Sequence, residues 1–264
     1  MKVVVIIPVH CAPKVAMMTI GSWLEAANGS YTAEVILGVH ENYHHYHPGL
    51  ESLQRLPVRL STVPEMNWVF QTHQEHLLRY SKMHAINLKA AMRVAETIGF
   101  DYLAILDHDL VFHQDFIGYG ISTQADLIGN YLEDRVAPVE LNTDIGRLTF
   151  APKFSVWHLL MTAKFYQKIG SDLDLIFPAI EGGCFYDTFS KVIEANQRDW
   201  KMPVKVLSKA DIGGLLQHRW SMSFNLGQMI HGHGGYHQRL AQAEAEYDQR
   251  FPNGIEHLFQ KVRA

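Results

Sequence analysis

The chain has 264 residues, 47% of them apolar and 19% charged, with 23 basic against 27 acidic side chains and a formal charge of −4. Such a length supports one large domain or two small ones, and the composition excludes a disordered or fibrous chain. The slight acidity gives no electrostatic basis for binding nucleic acid or an anionic membrane surface.

Residues 3–9 form a continuous β-branched apolar run, the pattern of a strand buried on both faces of a parallel sheet. Pro8 and His10 break the run and no small-residue cleavage site follows, so it reads as a first strand rather than a signal sequence. Residues 12–27 carry Val15, Met18, Trp23 and Leu24 at helical spacing and stop at Asn28-Gly29. A strand over 34–39 ends in His40-Glu41-Asn42, and another over 58–63 is closed by Pro64. The spacing of Ala85, Leu88, Ala91, Met92 and Ala95 predicts a helix over 81–98, ended by Gly99. The apolar run 102–106 follows and terminates in Asp107-His108-Asp109.

Strands and helices alternating in this order predict an α/β fold with a mainly parallel central sheet, flanked by helices and joined by right-handed crossovers. In the second half, the pattern predicts a strand over 154–161, a helix over 162–169 closed by Gly170, and a loop at Glu181-Gly182-Gly183. A helix over 187–196, a strand over 204–207 and a polar helix over 241–250 complete the expectation. No repeat, linker or boundary divides the chain, so a single domain over 1–264 is expected, with halves over 1–110 and 111–264. No stretch approaches about 18 uninterrupted apolar residues, so no transmembrane segment is expected. Cys11 and Cys184 stand far apart in no metal-type spacing, which points to a reducing, cytoplasmic setting.

Ligands of open α/β sheets bind beyond the carboxyl ends of the strands, where Asp107 and Asp109 are expected. Two carboxylates at i and i+2 can turn toward one crevice and hold a hard divalent cation, which also bridges substrate phosphates. By itself Asp-X-Asp is also common polar punctuation after a strand. The order of the surrounding motifs is more specific. The opening Ile6-Ile7-Pro8-Val9-His10, the helix carrying Asn87, the apolar strand ending in Asp107-His108-Asp109, Lys168-Ile169-Gly170 and Phe185-Tyr186-Asp187-Thr188 follow one another. In that order the chain resembles the GT-A glycosyltransferases, particularly the family 2 type, over roughly residues 3–220.

The resemblance implies a metal-dependent transfer of a sugar, a hexose for preference, from a nucleotide diphosphate donor to an acceptor hydroxyl. It implies a GT-A fold, Mn²⁺ or Mg²⁺ held at Asp107 and Asp109, and donor contacts from Pro8, His10, Glu41, Asn87, Asp107 and His108. Glu41 stands where the family often has a base-reading Asp, and Tyr186-Asp187 where it has Glu-Asp. Asp187 is then the expected general base of an inverting displacement, with Glu181 as its neighbour in reserve and retention left open. Asp187 also suits an ordinary helix cap. A late histidine often completes the metal shell in this family, which makes His218 the first candidate and His231 or His233, between glycines, the competitors.

Other residues fit blander roles. The Tyr43-His44-His45-Tyr46-His47 run reads as a solvated loop; Arg79, Lys82 and Arg219 read as surface charges able to reach a diphosphate. Trp157, Phe185, Tyr186 and Trp220 suit core packing as well as stacking on sugar rings. Cys184 has no histidine close in sequence to activate it. A sugar-nucleotide-forming nucleotidyltransferase is the rival enzyme, but His10-Cys11-Ala12-Pro13-Lys14 offers one lysine and no glycine where such enzymes carry a Gly-rich basic loop. A non-catalytic sugar-nucleotide or glycan-binding protein on the same scaffold is the rival from another class. The acceptor (saccharide, lipid or small molecule) and the oligomeric state leave no mark on the sequence.

Overall fold

The computed structural model describes residues 1–9, 13–40, 49–64, 73–131, 137–143, 146–219 and 236–263. Strand β1 (Lys2–Pro8) owes its uninterrupted apolar sequence to burial on both sides. Val3, Val5 and Ile7 enter one core layer, while Val4 and Ile6 enter the other. Helix α1 (Pro13–Ala26) covers the first layer, where the Trp23 indole N–H donates to the Tyr31 hydroxyl at 3.0 Å. Strand β2 (Thr32–His40), a short helix α2 (Leu50–Gln54) and strand β3 (Arg59–Val63) lead to the long helix α3 (His73–Ile98) and strand β4 (Tyr102–Leu106). Helix α3 buries Ala85, Leu88, Ala91, Met92 and Ala95 in the second layer. It ends at Gly99, whose φ of +71° is the left-handed conformation that glycine adopts without steric cost.

The chain continues through β5 (Leu110–Phe112), α4 (Phe116–Ser122), β6 (Leu127–Gly129), β7 (Val139–Thr143), β8 (Gly146–Phe150), β9 (His158–Thr162) and α5 (Ala163–Gly170). Strands β10 (Ala179–Glu181) and β11 (Cys184–Tyr186), helix α6 (Ser190–Ala195), β12 (Val204–Val206), α7 (Lys209–Leu215), β13 (Leu216–His218) and α8 (Tyr236–Arg250) follow, with a closing 3₁₀ segment at Glu256–Val262.

Among the described residues, the central sheet has the order β12-β6-β9-β4-β1-β2-β3. Pairings of β1 with β2 and β4, of β2 with β3 and of β12 with β6 are parallel; β9 alone runs against both its neighbours. The protein is therefore a mixed α/β fold with a large, mostly parallel central sheet flanked by helices. Two small sheets stand beside it, one of order β10-β11-β8-β7 and one pairing β13 with β5. Among the described residues, no helix is long and apolar enough to cross a membrane.

Several element boundaries differ from the sequence reading. The strand expected over 154–161 is β9, displaced to His158–Thr162, because Ser155 and Phe154 are diverted to Asn130 and Tyr131 on the chain leaving β6. The helix expected over 187–196 starts only at Ser190, since Phe189 takes a left-handed φ of 73° just before it, and it widens into a π-helical turn at Asn196–Trp200. Asp187 is therefore no helix cap. Helices α3 and α8 begin earlier than expected, at His73 and Tyr236. Strands β5, β6, β10, β11 and β13 have three residues each, too short to show a period, and the hairpin β7–β8 was not anticipated although Val139-Glu140-Leu141-Asn142 alternates.

Candidate functional site

The parallel strands β1, β2 and β4 end at one edge of the sheet, and antiparallel β9 begins there with His158 opposite Leu106. The chain leaving β4 turns at once. The Asp107 N–H donates to the Trp157 carbonyl at 2.6 Å, and the His108 N–H donates to Asp107 Oδ1 at 3.0 Å. On the far side of the turn, the Thr19 hydroxyl of α1 lies 2.7 Å from the His108 carbonyl and 2.8 Å from that of Leu110, and accepts from the Leu110 N–H at 3.0 Å. This buried threonine satisfies backbone groups that the sharp turn leaves without strand partners. The turn is thus held by the neighbouring strand and by α1, and Asp107, His108 and Asp109 are fully buried within it.

A fourth side chain arrives by tertiary pairing. Strand β13 runs antiparallel to β5 with His218 opposite Leu110, and the Arg219 N–H donates to the Asp109 carbonyl at 2.9 Å. His218 Nε2 lies 2.7 Å from Asp109 Oδ1 and 3.6 Å from Asp107 Oδ2. Its ring stacks on Trp157, with centroids 4.4 Å apart and planes 10° from parallel. His108 Nδ1 lies 2.9 Å from the Pro8 carbonyl, which only accepts, so this nitrogen carries the proton. Ligand atoms of Asp107, His108 and Asp109 all fall within 4.8 Å of one another.

The charges are tightly coupled. Burial alone would raise the Asp107 carboxyl, but His108 and His218 beside it hold it well below the ordinary carboxylate value. Burial alone would lower the His218 imidazole, but the hydrogen bonds and charges of Asp107 and Asp109 push it up to about 10. A proton on His218 thus partly offsets the acidic charge of the turn. His158 behaves oppositely: burial, with His218 adding to it, brings it down to about 4 despite Asp107. It stays neutral against the edge of the Phe116 ring, 5.9 Å between centroids. Two buried carboxylates and an imidazole facing one point form a donor set that fits a divalent cation.

Asp187 belongs to a second buried group. Its Oδ2 lies 2.6 Å from Lys153 Nζ, and its Oδ1 accepts from the Thr188 N–H at 2.8 Å. The Thr188 hydroxyl in turn donates to the Ser81 carbonyl of α3 at 3.0 Å. Burial would raise the Asp187 carboxyl, but the Lys153 ammonium and hydrogen bonds from Lys153, Ser81 and Thr188 hold it below its ordinary value. His84, one turn along α3 from Ser81, connects the two groups. Burial lowers its proton affinity, and it senses the charges of Asp107 and His108 as well as those of Lys153 and Asp187.

The structure therefore gathers Pro8, Asp107, His108, Asp109 and His218 at one strand edge, with the Asp187 pair within electrostatic reach of His84. Asn87 is fully buried on α3 against Gly38 of β2, where an added Cβ would meet it at 3.7 Å. Glu181 is exposed and paired with Lys191. Arg219 pairs with Glu246 at 3.0 Å. Phe185 packs on Phe150 at 4.9 Å between centroids, and Lys191 sits over the Tyr186 ring. His10, Cys11, Glu41, the 43–47 run, Trp220, His231 and His233 lie outside the described residues, as does the side chain of Arg79.

Lys153, His84, His158 and Thr19 were not singled out from sequence. The one local signal was a lone lysine or histidine inside an apolar stretch, as in Ala151-Pro152-Lys153-Phe154 and His158-Leu159-Leu160-Met161.

No family model matches the chain, and no curated protein does. Among solved structures, the chain is similar to A197 from STIV at 13% identity, with a TM-score of 0.38 over 83% of this chain and 85% of that one. It is also similar to the WbbM bifunctional glycosyltransferase in its apo form at 9% identity, with a TM-score of 0.44 over 99% of this chain and 52% of that one. The chain thus spans about half the length of WbbM. These likenesses are too distant to bear on function, which rests on the geometry of the site itself.

Proposed function

We propose that this chain is a metal-dependent glycosyltransferase of the GT-A type, moving a hexose from a nucleotide diphosphate donor to an acceptor hydroxyl with inversion at the anomeric carbon. The observation that supports it most is the meeting of Asp107, Asp109 and His218 Nε2 beyond the carboxyl end of β4. In this reading residues 1–264 form one unit, with a donor half over 1–110 and an acceptor half over 111–264, working in the cytoplasm. Asp107, Asp109 and His218 hold Mn²⁺ or Mg²⁺, which when bound supplies positive charge to the departing diphosphate. Pro8, His10, Glu41, Asn87, Asp107 and His108 are assigned to donor contacts, of which His10 and Glu41 lie outside the described residues.

The chain's own residues do the rest. Asp107, already ionised by its neighbours, offers oxygen without first losing a proton. Trp157 stacks on His218 and accepts from the Asp107 N–H, so one residue orients two ligands. Asp187, ionised in its pair with Lys153, takes the proton of the acceptor hydroxyl as the new bond forms.

A thermal-shift panel of nucleotide sugars, with and without Mn²⁺ or Mg²⁺, tests the reading. One donor class should raise the melting temperature only when the cation is present, and Asp109→Ala should abolish that rise. Donor cleavage or transfer should accompany binding. Stabilisation without turnover would make the chain a sugar-nucleotide binding protein, and no response to any donor would refute both.

A further inference from the structure

The least expected group in the molecule is the Lys153–Asp187 pair, 2.6 Å apart with side chains only 11% and 9% exposed. Removing both charges from water is costly, and an apolar pair of similar volume usually serves stability as well or better. The lysine is also aimed. Just before it, the Ala151 N–H donates to the Phe185 carbonyl at 2.9 Å, tying the segment to β11, which leads into Asp187. Just after it, Phe154 bridges to Tyr131 and the Ser155 N–H donates to the Asn130 carbonyl at 2.7 Å. Both flanks of Lys153 are thus fixed, and Phe154 is wholly buried.

We infer that Lys153 is a positioning residue for proton removal at Asp187, holding that carboxylate in one orientation and ionised, and so setting the lower pH limit of sugar transfer. The inference rests on Asp187 being the base of the proposed reaction. Among the described residues, Lys153 supplies positive charge to Asp187, Ser81 and Thr188 supply hydrogen bonds, and His84 is a further titratable group beside the pair. Because burial keeps His84 from protonating readily, Lys153 is, among the described residues, the cation that counters the desolvation of Asp187. Without the lysine, burial is opposed by less charge and the carboxylate protonates at higher pH. A lysine serving the fold alone would leave the pH profile unchanged in shape.

Lys153→Gln keeps a hydrogen-bond donor and removes the charge, and Lys153→Arg keeps both. Transfer is measured for wild type and both variants from about pH 5 to about pH 9. For Lys153→Gln, kcat/KM should fall about tenfold or more at about pH 5.5 and return toward wild type in the alkaline range. Lys153→Arg should restore the wild-type acidic limb. An unmoved limb, or a loss of equal size at every pH, overturns the inference.

A measurement on the wild-type chain needs neither a Lys153 variant nor a donor. The carboxyl carbon of Asp187, assigned by its loss in Asp187→Asn, should titrate by ¹³C NMR below the ordinary carboxylate range. Titration within or above that range overturns the inference even where Lys153→Gln does not fold. A low-titrating Asp187 in a chain that transfers no sugar leaves the ion pair as described and refutes the glycosyltransferase reading, and with it the part of Lys153 in transfer.

Discussion

His218 Nε2 stands 2.7 Å from Asp109 Oδ1 and 3.6 Å from Asp107 Oδ2, so one imidazole nitrogen faces both carboxylates of the Asp-His-Asp turn. A cation that takes this nitrogen as a ligand must displace the proton on it. With its proton affinity pushed up to about 10, His218 carries that proton throughout the neutral range. Binding of Mn²⁺ should therefore release about one proton at about pH 7 and tighten as pH rises. Calorimetry in buffers of different ionisation enthalpy measures the release. His218→Ala should lose it, and an undiminished release in that variant would assign the nitrogen ligand to another histidine.

The same shift predicts how stability follows pH without a cation. His218 has a raised proton affinity in the folded state, so its contribution is complete below its ordinary value of 6.5 and is lost as pH rises through about 10. Asp107 is lowered, so its contribution is present above its ordinary value of 3.8 and is lost on further acidification. Thermal melts in chelator should show a plateau between these limits. His218→Ala should flatten the alkaline decline relative to wild type, and an unchanged slope would mean the ion pair does not form in solution.

Asp187 can be tested for chemistry and for stability separately. Asp187→Asn should retain donor-induced stabilisation while transfer falls by about 10²-fold or more. Asp187→Ala strands the buried Lys153 ammonium and should cost about 3 kcal/mol in chemical denaturation. Lys153→Met added to Asp187→Ala should recover most of that loss, since both charges are then gone. Additive losses would show that the two side chains are not coupled.

Two glycines should respond oppositely to alanine. A Cβ on Gly21 of α1 would lie 2.6 Å from the Phe251 ring and 2.9 Å from Ile255 Cγ2, because α1 packs directly on the carboxyl-terminal segment. Gly21→Ala should cost about 1–3 kcal/mol as that contact is forced apart. Gly213 lies within α7 with nothing within 4 Å of an added Cβ, so Gly213→Ala should gain up to about 1 kcal/mol from helix propensity. Urea denaturation of the two variants gives both numbers.

How far the architecture could be read from residues alone differs from element to element. Strands β1 and β4 were legible because burial on both faces demands unbroken apolar runs, and α3 because its buried stripe repeats at helical spacing. Their alternation was enough to identify a mostly parallel sheet with Asp107 and Asp109 at its carboxyl edge. Boundaries in the second half were not legible. The left-handed Phe189 moves the start of α6 past Asp187, and residues 154–157 leave the expected strand for partners near β6.

Local pattern by itself thus determined the strands β1 to β4, the helices α1 and α3 beside them and the acidic turn, because each is written in periods of two or 3.6 residues or in a short run. Tertiary structure alone decided what those acids face. His218 meets them only because β13 pairs with β5, and Lys153 meets Asp187 only because Ala151 is tied to β11. Such meetings depend on which strand edge finds which partner, a long-range choice made by the burial of the whole sheet and carried by no neighbouring residues in the chain.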